Sequence, residues 1–238
     1  MPELRLIHTS DFHDHLTPVI AARLRALKEE HRALLIDTGD AIRAPNVAFF
    51  PWRERAVSLM NEAGHDAMGL GNREYFFRQR GMAQKTGHAN FPRLCANLRA
   101  KQGKLPGIEP WTVLRSAEGL RVGLFGLMPT MIEPGHWFER LSDMRFIPWQ
   151  EAAREAVGAL TGATDLLVAL VHRPLADARL LLPAIDLILA GHCHGPPLPL
   201  ERTPSGALVS RAGGASARLI GLHLPDKTVT MDEALALR

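Results

Sequence analysis

Short apolar runs alternate along the chain with segments whose apolar residues recur at helical spacing. The apolar runs predict strands at Leu4–Thr9, Ala33–Asp37, Ala67–Leu70, Leu94–Leu98, Thr112–Arg115, Arg121–Leu127, Leu166–Val171 and Leu187–Ala190. The amphipathic segments predict helices at Thr17–Glu30, Glu54–Ala63 and Gln150–Leu160. This alternation is typical of an α/β architecture in which the strands are largely buried.

Two regions depart from the alternation. Leu208–Leu224 carries Gly and Ser between short β-type runs and predicts hairpin strands, so we do not expect a purely parallel doubly wound sheet. Pro129–Pro148 has few periodic positions and contains Trp137 and Phe138. Unpatterned stretches of this length are often functional lids.

Polar side chains follow five of the predicted strands at the point where each strand ends. Ligands of open α/β sheets bind at the carboxyl ends of the strands. Carboxylates, an amide oxygen and neutral imidazoles together suit Zn, Mn, Fe or Co better than Ca or Mg. The pattern therefore predicts a metal site, and its candidate ligands are Asp11, His13, Asp40, Asn72, His172, His192 and His194.

Each fragment of this pattern is weak when taken alone. Asp-x-His occurs often by chance, and a lone His172 is more typical of a core histidine with its hydrogen bonds satisfied. Cys193 lies between two histidines and is expected to point to the opposite face. The joint occurrence of the candidates at five strand ends is what favours a metal centre.

The same segments resemble the motifs of the calcineurin-like metallophosphoesterase superfamily, in the branch typified by the 5'-nucleotidases. The matching segments are Leu6–Leu16, Leu34–Asp40, Met60–Met68 with Gly71–Glu74, Val171-His172 and Gly191–His194. Their order and spacing match over nearly the whole chain, including the β-rich tail. The resemblance implies a four-layer α-β-β-α sandwich with two mixed sheets and a dinuclear metal centre.

The resemblance also implies a role for each ligand. Asp11, His13 and His194 would hold one divalent ion, and Asn72, His172 and His192 would hold the other, with Asp40 bridging the two. The implied activity is hydrolysis of phosphate mono- or diesters, nucleotides among them, by a metal-activated hydroxide that attacks phosphorus. Asp40, Asn72 and Arg73 are the expected catalytic residues, and the small-molecule ester is the expected partner.

Arg73 and Phe76 depart from the family pattern, which has His after the Asn and an Asp three residues further on. Arg is always protonated and cannot act as a general acid, although it can stabilise charge on the phosphate or the leaving group. We therefore expect an enzyme that favours good leaving groups. The alternative is a metal-binding regulatory or scaffold protein whose catalysis is weakened or absent.

Several further polar residues lie near the motifs. His8 and Glu74 are expected to orient ligands or to pack, and Arg173 is expected to reach a phosphate oxygen. Asp14 and His15 are compatible with substrate contact or with plain solvation. The remaining candidates are Asn97 as a motif residue or turn closer, Trp137 and Phe138 as a stacking or packing pair, and Cys95 as a core residue.

Composition and charge bear on the class of protein and its cellular location more than on its chemistry. The chain has 238 residues, 46% of them hydrophobic and 22% charged, which excludes disordered and fibrous classes. A net charge of +3 without long runs of like charge gives little support to a nucleic-acid phosphodiesterase. Two cysteines and no apparent signal or membrane-spanning segment favour the cytoplasm without membrane association. Homo-oligomerisation stays open.

The motif positions also bound the domain organisation. We expect a single catalytic domain over residues 1–238, without the C-terminal nucleotide-binding domain of the 5'-nucleotidases. Selectivity is then expected from the loops Arg43–Trp52 and Pro129–Pro148 or from a partner chain.

Overall fold

The computed structural model describes residues 2–48, 52–179 and 183–237. The strands in chain order are β1 (Glu3–Ser10), β2 (Leu34–Asp37), β3 (Ala67–Gly69), β4 (Arg93–Leu94), β5 (Leu98–Ala100), β6 (Ile108–Glu109), β7 (Trp111–Arg115), β8 (Arg121–Leu127), β9 (Met144–Phe146), β10 (Leu166–Val171), β11 (Leu187–Ala190), β12 (Leu198–Arg202), β13 (Leu208–Arg211), β14 (Ser216–His223) and β15 (Thr228–Leu235). The helices are α1 (Pro18–His31), α2 (Arg55–Ala63), α3 (Gln79–Thr86), α4 (Trp149–Leu160) and α5 (Leu175–Arg179), and a 3-10 helix spans Trp137–Leu141.

The strands form two large mixed sheets and one small ladder. The first sheet has the order β15-β14-β1-β2-β3-β4-β6, and the second has the order β12-β13-β11-β10-β8-β7. β1 to β4 run parallel to one another, whereas β14 is antiparallel to both β1 and β15. In the second sheet β8, β10, β11 and β13 are parallel, and β7 and β12 are antiparallel edge strands. β5 pairs with β9 outside these sheets.

The two large sheets pack face to face across an apolar interior. Leu6 and Ile36 of the first sheet belong to the same buried cluster as Leu124 and Val168 of the second. The alternation of side chains along a strand places the neighbouring residues on the opposite face of each sheet, where helices must cover them.

Helices cover both outer faces. α1 and α2 pack on the first sheet through Leu24 and Met60, and α4 packs on the second through Ala152 and Ala156. The expectation of a four-layer α-β-β-α sandwich with two mixed sheets is confirmed. Among the described residues, no helix combines the length and the apolar character that crossing a bilayer requires.

Local sequence explains where α1 begins and ends. Thr17 precedes the helix in extended conformation, and its hydroxyl accepts a hydrogen bond from the Ile20 N–H at 3.2 Å. Pro18 occupies the first turn, where its missing N–H costs nothing. Arg32 ends the helix in the left-handed conformation. The predicted helix Thr17–Glu30 therefore matches the structure to within a residue at each end.

Two sequence expectations are wrong in detail. Leu208–Leu224 does not form a hairpin, because β13 belongs to the second sheet and β14 to the first; β13 pairs instead with the preceding strand β12, and β14 with the following strand β15. Leu94–Leu98 is not one strand either. Between β4 and β5 the chain turns toward the second sheet, and the Ala96 N–H donates to the Gly126 carbonyl at 2.6 Å.

The two loops expected to provide selectivity differ in how much structure they show. Pro129–Pro148 contains the 3-10 helix and β9, so part of it is regular. Residues 49–51 of the loop Arg43–Trp52 lie outside the described residues.

Candidate metal centre

Five strands deliver the candidate ligands to one end of the sandwich. Asp11 and His13 follow β1, Asp40 follows β2 and Asn72 follows β3, all in the first sheet. His172 follows β10, and His192 and His194 follow β11, in the second sheet. The carboxyl ends of these parallel strands meet where the two sheets face each other, so residues far apart in sequence become neighbours.

Asp40 lies at the centre of the cluster. Its Oδ2 is 3.4 Å from His13 Nε2, and its Oδ1 is 3.5 Å from His172 Nε2. Asp11 Oδ1 lies 3.7 Å from His13 Nε2 and 4.0 Å from His172 Nε2. Both carboxylates are buried, so the cluster holds two acidic groups between imidazoles with little access to water.

Three of these atoms show that the arrangement fits a cation. Asp11 Oδ1, His13 Nε2 and His172 Nε2 are buried and have no hydrogen-bond partner among the described residues. An unpaired buried polar atom is costly, so each of the three needs a partner that the described residues do not supply. Asp11, His13 and His194 offer ligand atoms that all lie within 4.8 Å of one another, as do Asp11, Asp40 and His172. This oxygen and nitrogen donor set fits divalent transition metals.

The other two candidates complete the ring of polar groups. Asn72 Nδ2 donates to Asp40 Oδ2 at 3.0 Å, and Asn72 Oδ1 lies 3.1 Å from His192 Nδ1. The His192 N–H also donates to Asp11 Oδ2 at 3.1 Å. The rings of His13 and His194 lie 4.5 Å apart, with His194 on the exposed side. All seven candidate ligands therefore belong to one connected cluster.

Hydrogen bonds outside the cluster fix the orientation of His172. Its Nδ1 donates to the Thr38 carbonyl at 2.7 Å, which turns Nε2 toward the carboxylates. His8 Nε2 lies 3.0 Å from Thr38 Oγ1, and burial lowers the pKa of His8 to about 3, so this imidazole is neutral. His8 thus supports the Thr38 turn behind the cluster.

The backbone beneath the ligands adopts an unusual conformation. Asp11, His13, Asp40 and His192 have φ values of 53°, 46°, 56° and 70°, in the left-handed region. Non-glycine residues there cost of order 1–3 kcal/mol each, and such outliers concentrate at functional sites. The strain points to a backbone that is shaped for the ligands.

Two glycines let the β2 and β3 turns approach each other. A Cβ on Gly39 would lie 2.4 Å from the Gly71 N, and one on Gly71 would lie 2.3 Å from Asp40 Oδ1. Side chains at either position would separate Asn72 from Asp40.

Glu74 holds the same two turns together. Its buried carboxylate accepts hydrogen bonds from the Asp40 N–H at 2.9 Å, the Gly71 N–H at 2.8 Å and the Ala41 N–H at 3.1 Å. Burial and the neighbouring Asp40 charge raise the pKa of Glu74. Glu74 therefore positions the backbone that carries Asp40 and adds an acidic group behind it.

The charges in the cluster depend on one another. The neighbouring carboxylates of Asp11 and Asp40 raise the pKa of His13 to about 9. Burial lowers the pKa of His172, but Asp40 outweighs it and raises that pKa to about 9. Burial raises the pKa of Asp40, yet the neighbouring imidazoles of His13 and His172 hold it well below its usual range. A cation that binds between these groups must displace imidazole protons.

Comparison with known proteins agrees with this geometry. The sequence profile of the calcineurin-like phosphoesterases matches residues 4–196. The chain belongs to the calcineurin-like phosphoesterase family. The resemblance to this superfamily found in its motifs is thereby confirmed.

Relatives within the family are similar over most of this chain. A snake venom 5'-nucleotidase of Gloydius brevicauda is 28% identical over 224 residues, covering 81% of this chain and 37% of the relative. A probable 5'-nucleotidase of Treponema pallidum is 28% identical over 219 residues, with the same coverage. The crystal structure of a 5'-nucleotidase precursor from Thermus thermophilus has a TM-score of 0.77 at 22% identity, covering 98% of this chain and 54% of that one. The chain thus spans well under half the length of these curated relatives.

Arg73, which departs from the family pattern, lies at the edge of the cluster. Its N–H donates to Asp40 Oδ1 at 2.8 Å, its Nε is 3.9 Å from Asp40 Oδ2, and its Nη1 donates to the Arg43 carbonyl at 3.2 Å. Phe76 packs against Phe77, with ring centroids 4.6 Å apart, in an apolar cluster. Phe76 therefore fills space where the family pattern has a carboxylate.

Arg173 does not extend toward the cluster as the sequence suggested. Its guanidinium donates to Asp177 at 2.8 Å and to the Met128 carbonyl at 3.2 Å, and it lies over the Trp149 ring. These contacts hold the guanidinium in place. A substrate role for Arg173 stays a prediction.

The other singled-out residues have mixed roles. Asn97 exchanges hydrogen bonds with the Met128 backbone at 2.8 and 3.0 Å, which joins two loops. Phe138 packs 5.2 Å from the Phe77 ring, and Trp137 is exposed beside it. Cys95 is a buried free thiol whose pKa is raised to about 12 by burial. Asp14 and His15 are exposed next to the cluster.

Two residues at the site were missed from the sequence. Lys85 is buried, and its ammonium donates to the carbonyls of Arg73 at 2.6 Å, Tyr75 at 3.0 Å and Pro45 at 3.3 Å. Asn46 Oδ1 accepts from Asn72 Nδ2 at 2.7 Å. Neither residue follows a strand, and α3, which carries Lys85, has a weak apolar pattern. No sequence signal marked them.

Proposed function

We propose that this chain is a metal-dependent phosphoesterase that hydrolyses phosphate mono- or diesters at a dinuclear centre. Asp11, His13 and His194 would hold one divalent ion, Asn72, His172 and His192 would hold the other, and Asp40, between the two sets, would contribute to both. The observation that carries the proposal is that three buried ligand atoms without partners belong to two overlapping groups of candidate ligands. Mn, Zn, Fe and Co are the metals that this donor set favours.

When bound, two divalent ions supply Lewis-acid activation of water and neutralise charge on the phosphoryl group. The protein residues position this chemistry. Glu74 and the close approach of Gly39 to Gly71 hold Asp40 and Asn72 in register. The Thr38 carbonyl keeps His172 Nε2 facing inward. Burial of the carboxylates excludes competing water from their surroundings.

Arg73 contributes a permanent positive charge beside the site. It cannot give a proton to a departing alkoxide, but it can stabilise a leaving group that departs as an anion. We therefore propose a preference for aryl phosphates, activated diesters and anhydrides. Nucleotides are candidate substrates because relatives bear the name 5'-nucleotidase. Location in the cytoplasm and homo-oligomerisation stay predictions.

The departure at Arg73 and Phe76 favours one other candidate function, a metal-binding scaffold without catalysis. The purified protein is loaded with Mn²⁺, its metal content is measured, and hydrolysis of 4-nitrophenyl phosphate and bis(4-nitrophenyl) phosphate is followed. We expect about two ions per chain and hydrolysis of at least one ester. Asp40→Asn should lose both metal binding and hydrolysis, whereas the exposed control Asp226→Asn should keep both.

The outcomes separate the two functions. Bound metal without hydrolysis of either ester would support the scaffold. Failure to bind metal would contradict both functions.

A further inference from the structure

A second pocket adjoins the proposed metal centre. It has a volume of about 430 Å³ and is lined by Asp14, Arg43, Trp52, Arg53, Glu54 and Arg55. Asp14 directly follows the candidate ligand His13, and its N–H donates to the Ala41 carbonyl at 3.0 Å, one residue beyond Asp40. The pocket therefore begins one residue away from the cluster.

Hydrogen bonds join the wall of this pocket to the centre. The Arg43 carbonyl accepts from Arg73 Nη1 at 3.2 Å. Three residues further on, Asn46 Oδ1 accepts from Asn72 Nδ2 at 2.7 Å. A molecule bound at the centre and extending past Arg73 would meet the wall formed by Arg43.

The pocket carries positive charge that the protein does not neutralise. Among residues 2–48, 52–179 and 183–237, no carboxylate forms an ion pair with Arg43, Arg53 or Arg55. The Glu54 carboxylate accepts hydrogen bonds from the Arg43 N–H at 3.1 Å and the Ala44 N–H at 3.0 Å. The lining therefore combines three guanidinium groups with two carboxylates, those of Asp14 and Glu54, and keeps a net positive charge.

Clustered guanidinium groups next to a phosphate-binding centre have a specific use. Arg binds phosphate and carboxylate through paired N–H donors, and such charge-assisted bonds are stronger than neutral ones. Trp52 has 68% of its surface exposed at this pocket, which offers a flat apolar face to the part of a ligand between two charged groups.

We propose that this pocket is a subsite for a second anionic group of the substrate. The inference rests on the proposed phosphoesterase function and names its substrate class: phosphate esters that carry a further phosphate or carboxylate. The scissile phosphate lies at the metal centre, and the second anion lies among Arg43, Arg53 and Arg55. The exposed charges make this preference sensitive to ionic strength.

The test compares inhibitors that differ only in the second anion. Inhibition constants against 4-nitrophenyl phosphate hydrolysis are measured for phenylphosphonate, 4-carboxyphenylphosphonate, and the 1,3- and 1,4-phenylenediphosphonates. Binding of the same compounds to the metal-loaded protein is measured by calorimetry. We expect at least one compound with a second anionic group to bind about tenfold more tightly than phenylphosphonate. This is the gain expected from one charge-assisted pair. The carboxylate and phosphonate arms show which anion the pocket prefers.

Substitutions assign the effect to the pocket. The preference for compounds with two anionic groups over phenylphosphonate should fall toward a ratio of one in Arg53→Ala, in Arg53→Glu and in the double variant Arg43→Ala/Arg55→Ala. Arg23→Ala, an exposed arginine on α1, should leave the ratio and the hydrolysis unchanged. Circular dichroism confirms that each variant is folded.

Each outcome has a distinct meaning. No hydrolysis of 4-nitrophenyl phosphate would count against the phosphoesterase function, while calorimetry would still report the subsite. If the protein hydrolyses 4-nitrophenyl phosphate but binds phenylphosphonate as tightly as the compounds with a second anionic group, the proposed subsite is contradicted. If the arginine variants keep the preference for a second anionic group, that group binds outside this pocket, which also contradicts the proposal.

Discussion

Replacing Glu74 with Gln should weaken both the fold and the metal centre. The side chain keeps its size, but one of its two oxygens becomes an NH₂ group. With the amide oxygen in the position of Oε2, the bonds from the Asp40 and Gly71 N–H groups survive. The NH₂ group then faces the Ala41 N–H, which loses the partner that it now has at 3.1 Å.

The magnitude follows from the number of unpaired groups. A buried N–H without a partner costs about 1–3 kcal/mol, so Glu74→Gln should lower the free energy of unfolding by about 2 kcal/mol. Glu74→Ala leaves three N–H groups unpaired and should cost about 4 kcal/mol or more. Because these groups hold Asp40, metal affinity should fall by about 10–100-fold, as is usual when the support of a ligand is removed.

Urea unfolding and metal titration by calorimetry measure the two effects, and Glu54 provides the matched control. Its carboxylate also accepts two backbone N–H groups, but those of Arg43 and Ala44. Glu54→Gln should therefore lower stability by a similar amount and leave metal affinity within about threefold. Equal losses of metal affinity in the two variants would refute a positioning role for Glu74. Equal stability of Glu74→Gln and Glu74→Ala would refute the counting of unpaired groups.

Three further predictions concern the leaving group, pH and metal. Arg73→His restores a side chain that can donate a proton, so the hydrolysis rate of alkyl relative to aryl phosphates should rise by about tenfold or more; an unchanged ratio would show that Arg73 does not limit poor leaving groups. Burial lowers the pKa of His65 to about 4, so between pH 6.5 and 4 the unfolded chain binds a proton that the folded chain does not, and stability falls as pH falls. Compared with wild type, His65→Gln should show a slope of unfolding free energy against pH that is shallower by about 1 kcal/mol per unit, and parallel slopes would contradict this. Finally, Mn²⁺ at about 100 times its dissociation constant should stabilise the wild type in thermal unfolding by about 3 kcal/mol for each ion bound. A chelator should reverse this, and a similar gain in Asp40→Asn would exclude Asp40 as a ligand.

The ligands of the proposed centre were accessible from sequence because they follow a simple rule. A buried parallel strand is marked by its apolar run, and the residue after it must lie at the carboxyl edge of the sheet. Asp40 and His172 could therefore be located without knowing how the sheets pack. The contacts of Arg173 could not be predicted in this way, because the sequence does not show that Asp177 and Trp149 lie beside it.

Features that depend on tertiary approach of loops were not predictable. Lys85 donates hydrogen bonds to three backbone carbonyls. It lies on a helix whose apolar pattern was too weak to predict it from the sequence. The assignment of Leu208–Leu224 to a hairpin failed for a related reason. Local turn residues mark where a chain reverses, but they do not show that the next strand joins the other sheet.

The placement of β14 has a consequence for how the protein is made. β1 carries Asp11 and His13, and it lies between β2 and β14. During synthesis, β2 is available soon after β1, but the other edge of β1 waits for the far end of the chain. At about 5–20 residues per second, the interval between Asp37 and His223 lasts roughly 10–40 s. Throughout that time the nascent chain exposes an unpaired strand edge, which is the kind of surface that chaperones protect from aggregation.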